Sequence, residues 1–171
     1  MPVSFAPGRV NLIGEHIDYH GLPVLPMALR RGIRLEFTPR DDRRIHLRNA
    51  EARFGERGFP LSPAPTPGPP GDWGNYAMAA AVTVVERWGA GVGIQGTLTS
   101  DLPAAAGLSS SSALVVAVAG ALLHAARIQV DPLELAEALA EGERFVGTAG
   151  GGMDQAASLL GREGHALEIS F

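Results

Sequence analysis

Residues 109–126 constrain the fold more than any other stretch. Beyond Ser112 the segment is Ala, Leu, Val and Gly, interrupted only by His124. Its length and composition predict a helix over Ser109–Ala126, and a helix that is apolar on every side must be buried. The chain has 171 residues, enough for one sizeable core and most simply one domain. No apolar run is long enough to span a membrane. Met1–Phe5 leads straight into polar residues without a signal peptide. The expectation is a soluble cytoplasmic protein with no membrane partner.

The remaining segments supply the surroundings of that helix. Val3–Ala6 and Val10–Ile13 read as short strands around a tight Pro7-Gly8 turn. Val24–Leu29 reads as another strand. Gly32–Thr38 and Arg44–Arg48 alternate apolar and polar residues as a hairpin would, with Asp41-Asp42 at its turn. Pro60–Gly71 is too rich in proline for a helix or central strand and reads as an exposed, mobile loop. Asp72 caps a helix to about Trp88. Gly93–Ser100 is a strand. Asp131 and Pro132 open a helix to about Phe145, with Glu134 completing a capping pattern. A glycine-rich turn, 147–152, precedes a short helix Met153–Leu160, and His165–Ser170 closes the chain as a strand. This order predicts an α+β fold, a mixed sheet covered by helices.

Composition excludes several chemistries. All fourteen Lys and Arg positions are Arg, so Walker-type and protein-kinase phosphate sites and Schiff-base catalysis, which rely on Lys, are ruled out. The chain has no Cys, hence no disulfide, thiol nucleophile or thiolate metal site. A net charge of -4 argues against a nucleic-acid partner.

Three motifs carry polar chemistry. The first, Ala6–Tyr19, sets Arg9, Glu15, His16 and Asp18 among apolar runs. Charges so near buried strands need partners, and a guanidinium, two carboxylates and an imidazole suit a ligand covered in hydroxyls. A solvated turn and a Glu-His-x-Asp metal site are the other readings, though no second His or Cys cluster supports a metal. The second motif, Asp101–Ala113, ends a strand, turns through small residues and starts a helix within four serines. Free N–H groups at that helix start form an anion site; an ordinary Ser cap reads equally well. The third motif, 147–155, places Asp154 at a helix start, as a cap or as a general base pointed into a cleft. Together they equip a site to move a phosphoryl group onto a sugar hydroxyl.

The residues resemble the GHMP kinases, and within them the galactokinases. Gly8–His16, Asp18-Tyr19, Gly21 and Val24–Leu29 are similar to the galactokinase signature. Pro103–Ala113 is similar to the shared phosphate motif. Gly151, Met153-Asp154-Gln155 and Gly164–Leu167 resemble the segment carrying the catalytic Asp, and Asp72–Tyr76 a Trp-Ala-Asn-Tyr stretch. The resemblance covers almost the whole chain. It implies the fold of the family's N-terminal domain, shared with a ribosomal-protein domain, and ATP-dependent, Mg²⁺-assisted phosphorylation of a monosaccharide, galactose above all. It implies Asp154 as base and Arg9 as its partner at the anomeric hydroxyl. Glu15, His16, Asp18 and Gly151 would bind sugar hydroxyls. Gly107, Leu108, Ser109, Ser110 and Ser111 would hold the triphosphate, and Trp73 would pack against adenine. Ser111 and Glu143 would serve Mg²⁺.

The sequence departs from the family in several places. Gly142 stands where a Mg²⁺-binding Glu is usual, with Glu141 and Glu143 on either side. Ile17 replaces Thr, His20 replaces Asn, Ala104–Ala106 replace part of a glycine-rich turn, and Gly152 replaces Ile. The family's second, C-terminal domain has no counterpart in residues 1–171, which leaves three expectations: a truncated form of a longer chain, a split gene product with a separate C-terminal chain, or completion by self-association. The alternative reading is a non-catalytic sugar- or nucleotide-binding relative.

Overall fold

The computed structural model describes residues 1–103, 106–148 and 150–170. Ala104, Ala105 and Ala149, which belong to the second and third motifs, and Phe171 lie outside the described residues. The chain runs β1 (Val3–Asn11), β2 (Pro26–Arg40), β3 (Arg44–Asn49), β4 (Arg57–Pro60), α1 (Trp73–Trp88), β5 (Gly93–Ser100), α2 (Ser110–Ala126), α3 (Pro132–Gly142) and α4 (Met153–Leu160). The five strands form one mixed sheet in the order β1-β2-β5-β3-β4, with β3 parallel to β5 and the other pairs antiparallel.

Alternation along the strands puts one face in the core. Ile33, Leu35 and Phe37 of β2, Ile45 and Leu47 of β3, and Ile94 and Leu98 of β5 are buried, while Arg34, Arg48, Gln95 and Thr97 are exposed. The apolar helix α2 lies on the buried face with α1 beside it, and Val84, Val115, Val118 and Leu122 complete the core. Asp72 caps α1 by accepting from the Gly74 N–H, and Asp131 caps α3 by accepting from Leu133 and Glu134, as expected.

The sheet corrects four local readings. Pro7-Gly8 is not a turn: β1 is continuous, and its pairing shifts between Pro7↔Gly32 and Arg9↔Ala28. Gly8 alone faces three residues of β2 across that shift, a bulge that re-aims the strand. Beyond it the Arg9 N–H bonds the Leu108 carbonyl at 3.2 Å. The strands expected at 24–29 and 32–38 are one long β2. The turn at Asp41-Asp42 exists, but β2 and β3 are not a hairpin, because β5 lies between them and pairs with both. The closing strand reduces to a bridge in which Val24 and Ile169 exchange hydrogen bonds, with Leu167 bonded to Pro26. The proline-rich loop is less free than expected: Leu61 and Pro65 are buried, and the Asn75 amide bonds the backbone of Gly68 and Pro69.

Candidate active site

The register shift between β1 and β2 delivers Arg9 to the centre of the site. Arg9 is buried, and its guanidinium divides between two acceptors: Nε donates to Asp154 Oδ1 at 2.7 Å, and Nη1 donates to the Gly107 carbonyl at 2.9 Å. Arg9 thus ties β1, the turn before α2 and the first turn of α4 together. Asp154 does not cap α4; Gly152 holds the cap position, and no side chain caps there. The other carboxylate oxygen, Oδ2, accepts from Ser109 Oγ at 2.6 Å and from Ser112 Oγ at 3.4 Å, the latter a long contact.

A cavity of about 230 Å³ opens in front of this pair. Arg9 and Asp154 line it together with Glu15, His16, Asp18 and Glu143. Glu15 and His16 are exposed, and Asp18 is buried. The structure thus brings all four polar residues of the first motif to one place. Gly151, expected among the sugar-binding residues, contacts Asp18 instead of lining the cavity. Its N–H donates to Asp18 Oδ2 at 3.0 Å. A Cβ at Gly151 would stand 2.5 Å from the Asp18 backbone carbon, so only glycine lets the two loops close on each other.

Glu143 reaches the cavity from beside Gly142. α3 stops at Gly142 and a 3-10 turn follows over Glu143–Val146. A Cβ at 142 would lie 2.0 Å from Thr83 Oγ1, so position 142 faces α1. The next residue, Glu143, is 5% exposed and reaches the cavity, with Oε1 buried and unpartnered. Burial pushes its carboxyl above the ordinary range, and the nearby Asp154 charge adds to this; hydrogen bonds from Ser112 and Gln155 act the other way.

A second cavity, of about 300 Å³, lies on the other side of the α2 start. Trp73, Tyr76, Phe54, Arg53, Ser110 and Ser111 are among its walls. The Trp73 indole N–H donates to the Phe54 carbonyl, and the Arg57 guanidinium sits 5.6 Å from the Trp73 ring centre. Arg57 also pairs with Asp72 at 2.8 Å, and that bond holds the Asp72 carboxyl below its ordinary range. The four serines therefore divide. Ser110 and Ser111 face the second cavity, and Ser109 and Ser112 face Asp154. Ser109 is the cap residue of α2, yet its side chain makes no cap bond, which leaves N–H groups of the first turn without an intrahelical partner. The two residues expected at a metal, Ser111 and Glu143, line different cavities. Among the described residues no group of three or more His, Asp or Glu is placed to hold an ion. Among them, too, no helix is long and apolar enough to cross a membrane.

Sequence reading missed Ser112 and Tyr19 on the wall of the first cavity, and Phe54 and Tyr76 on that of the second. Serine spacing was the available signal for the first: 109 and 112 are three apart and share a helix face. Nothing local marked Phe54, which arrives through a short 3-10 turn between β3 and β4.

Comparisons with known proteins place the chain in a family and a fold. Residues 75–162 match the family described as GHMP kinases N terminal domain, and residues 2–39 match the galactokinase galactose-binding signature. The chain is 42% identical over 176 residues to the galactokinase of Mycobacterium tuberculosis, covering 100% of this chain and 47% of that protein. The crystal structure of Lactococcus lactis galactokinase complexed with galactose superposes with a TM-score of 0.91 at 29% identity, over 98% of this chain and 44% of that one. The Methanococcus jannaschii mevalonate kinase structure, 20% identical with a TM-score of 0.82, covering 99% of this chain and 53% of that one, shares the fold. The chain thus spans about half the length of these relatives.

Proposed function

Because the chain belongs to the GHMP kinase family, we propose that it serves ATP-dependent phosphorylation of a monosaccharide at its anomeric hydroxyl, with galactose the leading substrate. The observation that carries the reading is the Arg9–Asp154 pair on the wall of a polar cavity, one serine face away from a second cavity lined by aromatics. Asp154 accepts the proton of the sugar hydroxyl as the oxygen bonds to the terminal phosphorus and ADP leaves. Arg9 orients that carboxylate and stabilises charge developing beside it. Glu15, His16 and Asp18 read the other hydroxyls. Asp18 is oriented for this by the Gly151 N–H, so Gly151 acts through Asp18.

N–H groups from Gly107 to Ser111 hold the phosphates, with no Ser109 cap bond competing at the first turn, and the positive end of the α2 dipole favours them. Trp73, fixed by Phe54 and Arg57, packs against the adenine. The buried, unpartnered Glu143 oxygen beside Asp154 suits a hard divalent cation. Glu143 and a serine of the α2 start would hold Mg²⁺, which would supply charge neutralisation at the phosphates. The reading treats residues 1–171 as one domain. It sets a second domain across the open side of the first cavity, near exposed Leu12, Ile13 and Leu22, in the same polypeptide or another.

The test is a coupled ADP-release assay with Mg·ATP and a panel of aldoses. Galactose-dependent ADP release supports the reading. Galactose binding by calorimetry without ADP release, in the protein with its second domain present, marks a binding relative instead.

A further inference from the structure

The serine at the head of α2 holds an unusual position. Ser109 has φ +54°, a left-handed conformation that few non-glycine residues adopt. As a cap it contributes nothing through its side chain, which makes no bond to the helix N–H groups. What the side chain does make is the 2.6 Å bond to Asp154 Oδ2, across 45 residues of sequence. An ionised carboxylate accepts at about four positions. Arg9 Nε fills one on Oδ1, Ser109 fills one on Oδ2, and Ser112 weakly fills another at 3.4 Å. Both oxygens are held, which restricts rotation of the carboxylate, and Asp154 lines the first cavity. Ser110 and Ser111, next along the chain, line the other cavity.

We infer that Ser109 is a positioning residue for the Asp154 carboxylate, holding it from the same turn whose next two serines face the second cavity. Any ligand that draws that turn toward the second cavity also acts on the orientation of Asp154. The inference rests on the reading of Asp154 as the base.

Ser109→Gly separates the hydroxyl from the backbone. Glycine adopts positive φ freely and is nearly as good a cap residue, so this variant keeps or improves the local fold. With aspartate labelled at the carboxyl carbon, the ¹³C line missing from Asp154→Asn identifies Asp154. Ser109→Gly moves that line more than any other aspartate line, while the melting temperature stays level or rises. In turnover with galactose and Mg·ATP, kcat falls about tenfold with KM for galactose unchanged, the loss expected for a hydrogen bond to a charged group. Ser109→Thr, which keeps a hydroxyl, recovers part of the line position. An Asp154 line unmoved in Ser109→Gly, or full turnover of that variant where Asp154→Asn is inactive, overturns the inference and leaves the base reading standing. Full turnover of Asp154→Asn overturns the base reading itself.

Discussion

Arg9 and Asp72 show how one charged residue settles a neighbourhood. Arg9 bonds a carboxylate from one element and a carbonyl from another through two different nitrogens of one rigid, planar guanidinium. Asp72 accepts from the Gly74 N–H as the α1 cap and pairs with Arg57, the residue that lies over Trp73. Because the Arg57 bond lowers the folded-state pKa of Asp72, its stabilisation is present above the ordinary aspartate range and is lost as pH falls through the folded value. Urea midpoints measured down a pH series will therefore drop on acidification. Asp72→Asn, which keeps a cap acceptor, will flatten part of that drop, and Asp72→Ala will cost about 1 kcal/mol at neutral pH. An acid limb unchanged in Asp72→Asn would refute the assignment. The cap was legible in sequence because it is local. The true partner of Ser109 was not, since a serine before a helix reads the same whether it caps the helix or reaches a carboxylate elsewhere.

At the scale of elements, the α1–α3 contact decides which acidic residue enters the site. Gly142 lets α3 approach Thr83, and the helix gives way to a tighter turn one residue later, which swings Glu143 into the cavity. Gly142→Ala will destabilise by about 1–3 kcal/mol, as overpacking does. Thr83→Ala in the same chain will recover part of the loss, because the clashing atom is Oγ1 and the Thr83 Cβ is 3.3 Å away. Additive destabilisation in denaturant melts of the double variant would contradict this contact. Sequence periodicity located α1, α2, α4 and β5 closely, since caps, glycines and apolar runs mark their ends. It failed on the β2–β3 hairpin because no local signal says that a strand 50 residues later will lie between two neighbours in sequence. It also split β1, because a Pro-Gly pair beside a register shift looks like a turn, and split β2 at the unpaired residues 29–31 opposite Gly8.

For the molecule as a whole, the sheet order matters most. Placing β5 between β2 and β3 puts the turn after β5 and the head of α2 in the middle of the fold, with one cavity on each side. The two cavities draw on separate residues, so a substitution in the wall of one leaves the wall of the other intact. Trp73→Ala will weaken ATP binding by about 1–3 kcal/mol, the value of an aromatic stacked on a base, and leave galactose affinity unchanged in calorimetry. Equal loss of both would contradict the division.

The most direct test of the account is the turnover of Asp154→Asn, assayed by ADP release with galactose and Mg·ATP alongside galactose binding. A general base contributes about 10²–10⁴-fold, so kcat is expected to fall by that factor while galactose and ATP still bind. Turnover within a few-fold of the wild type would contradict Asp154 as the base, and with it the role given to Arg9.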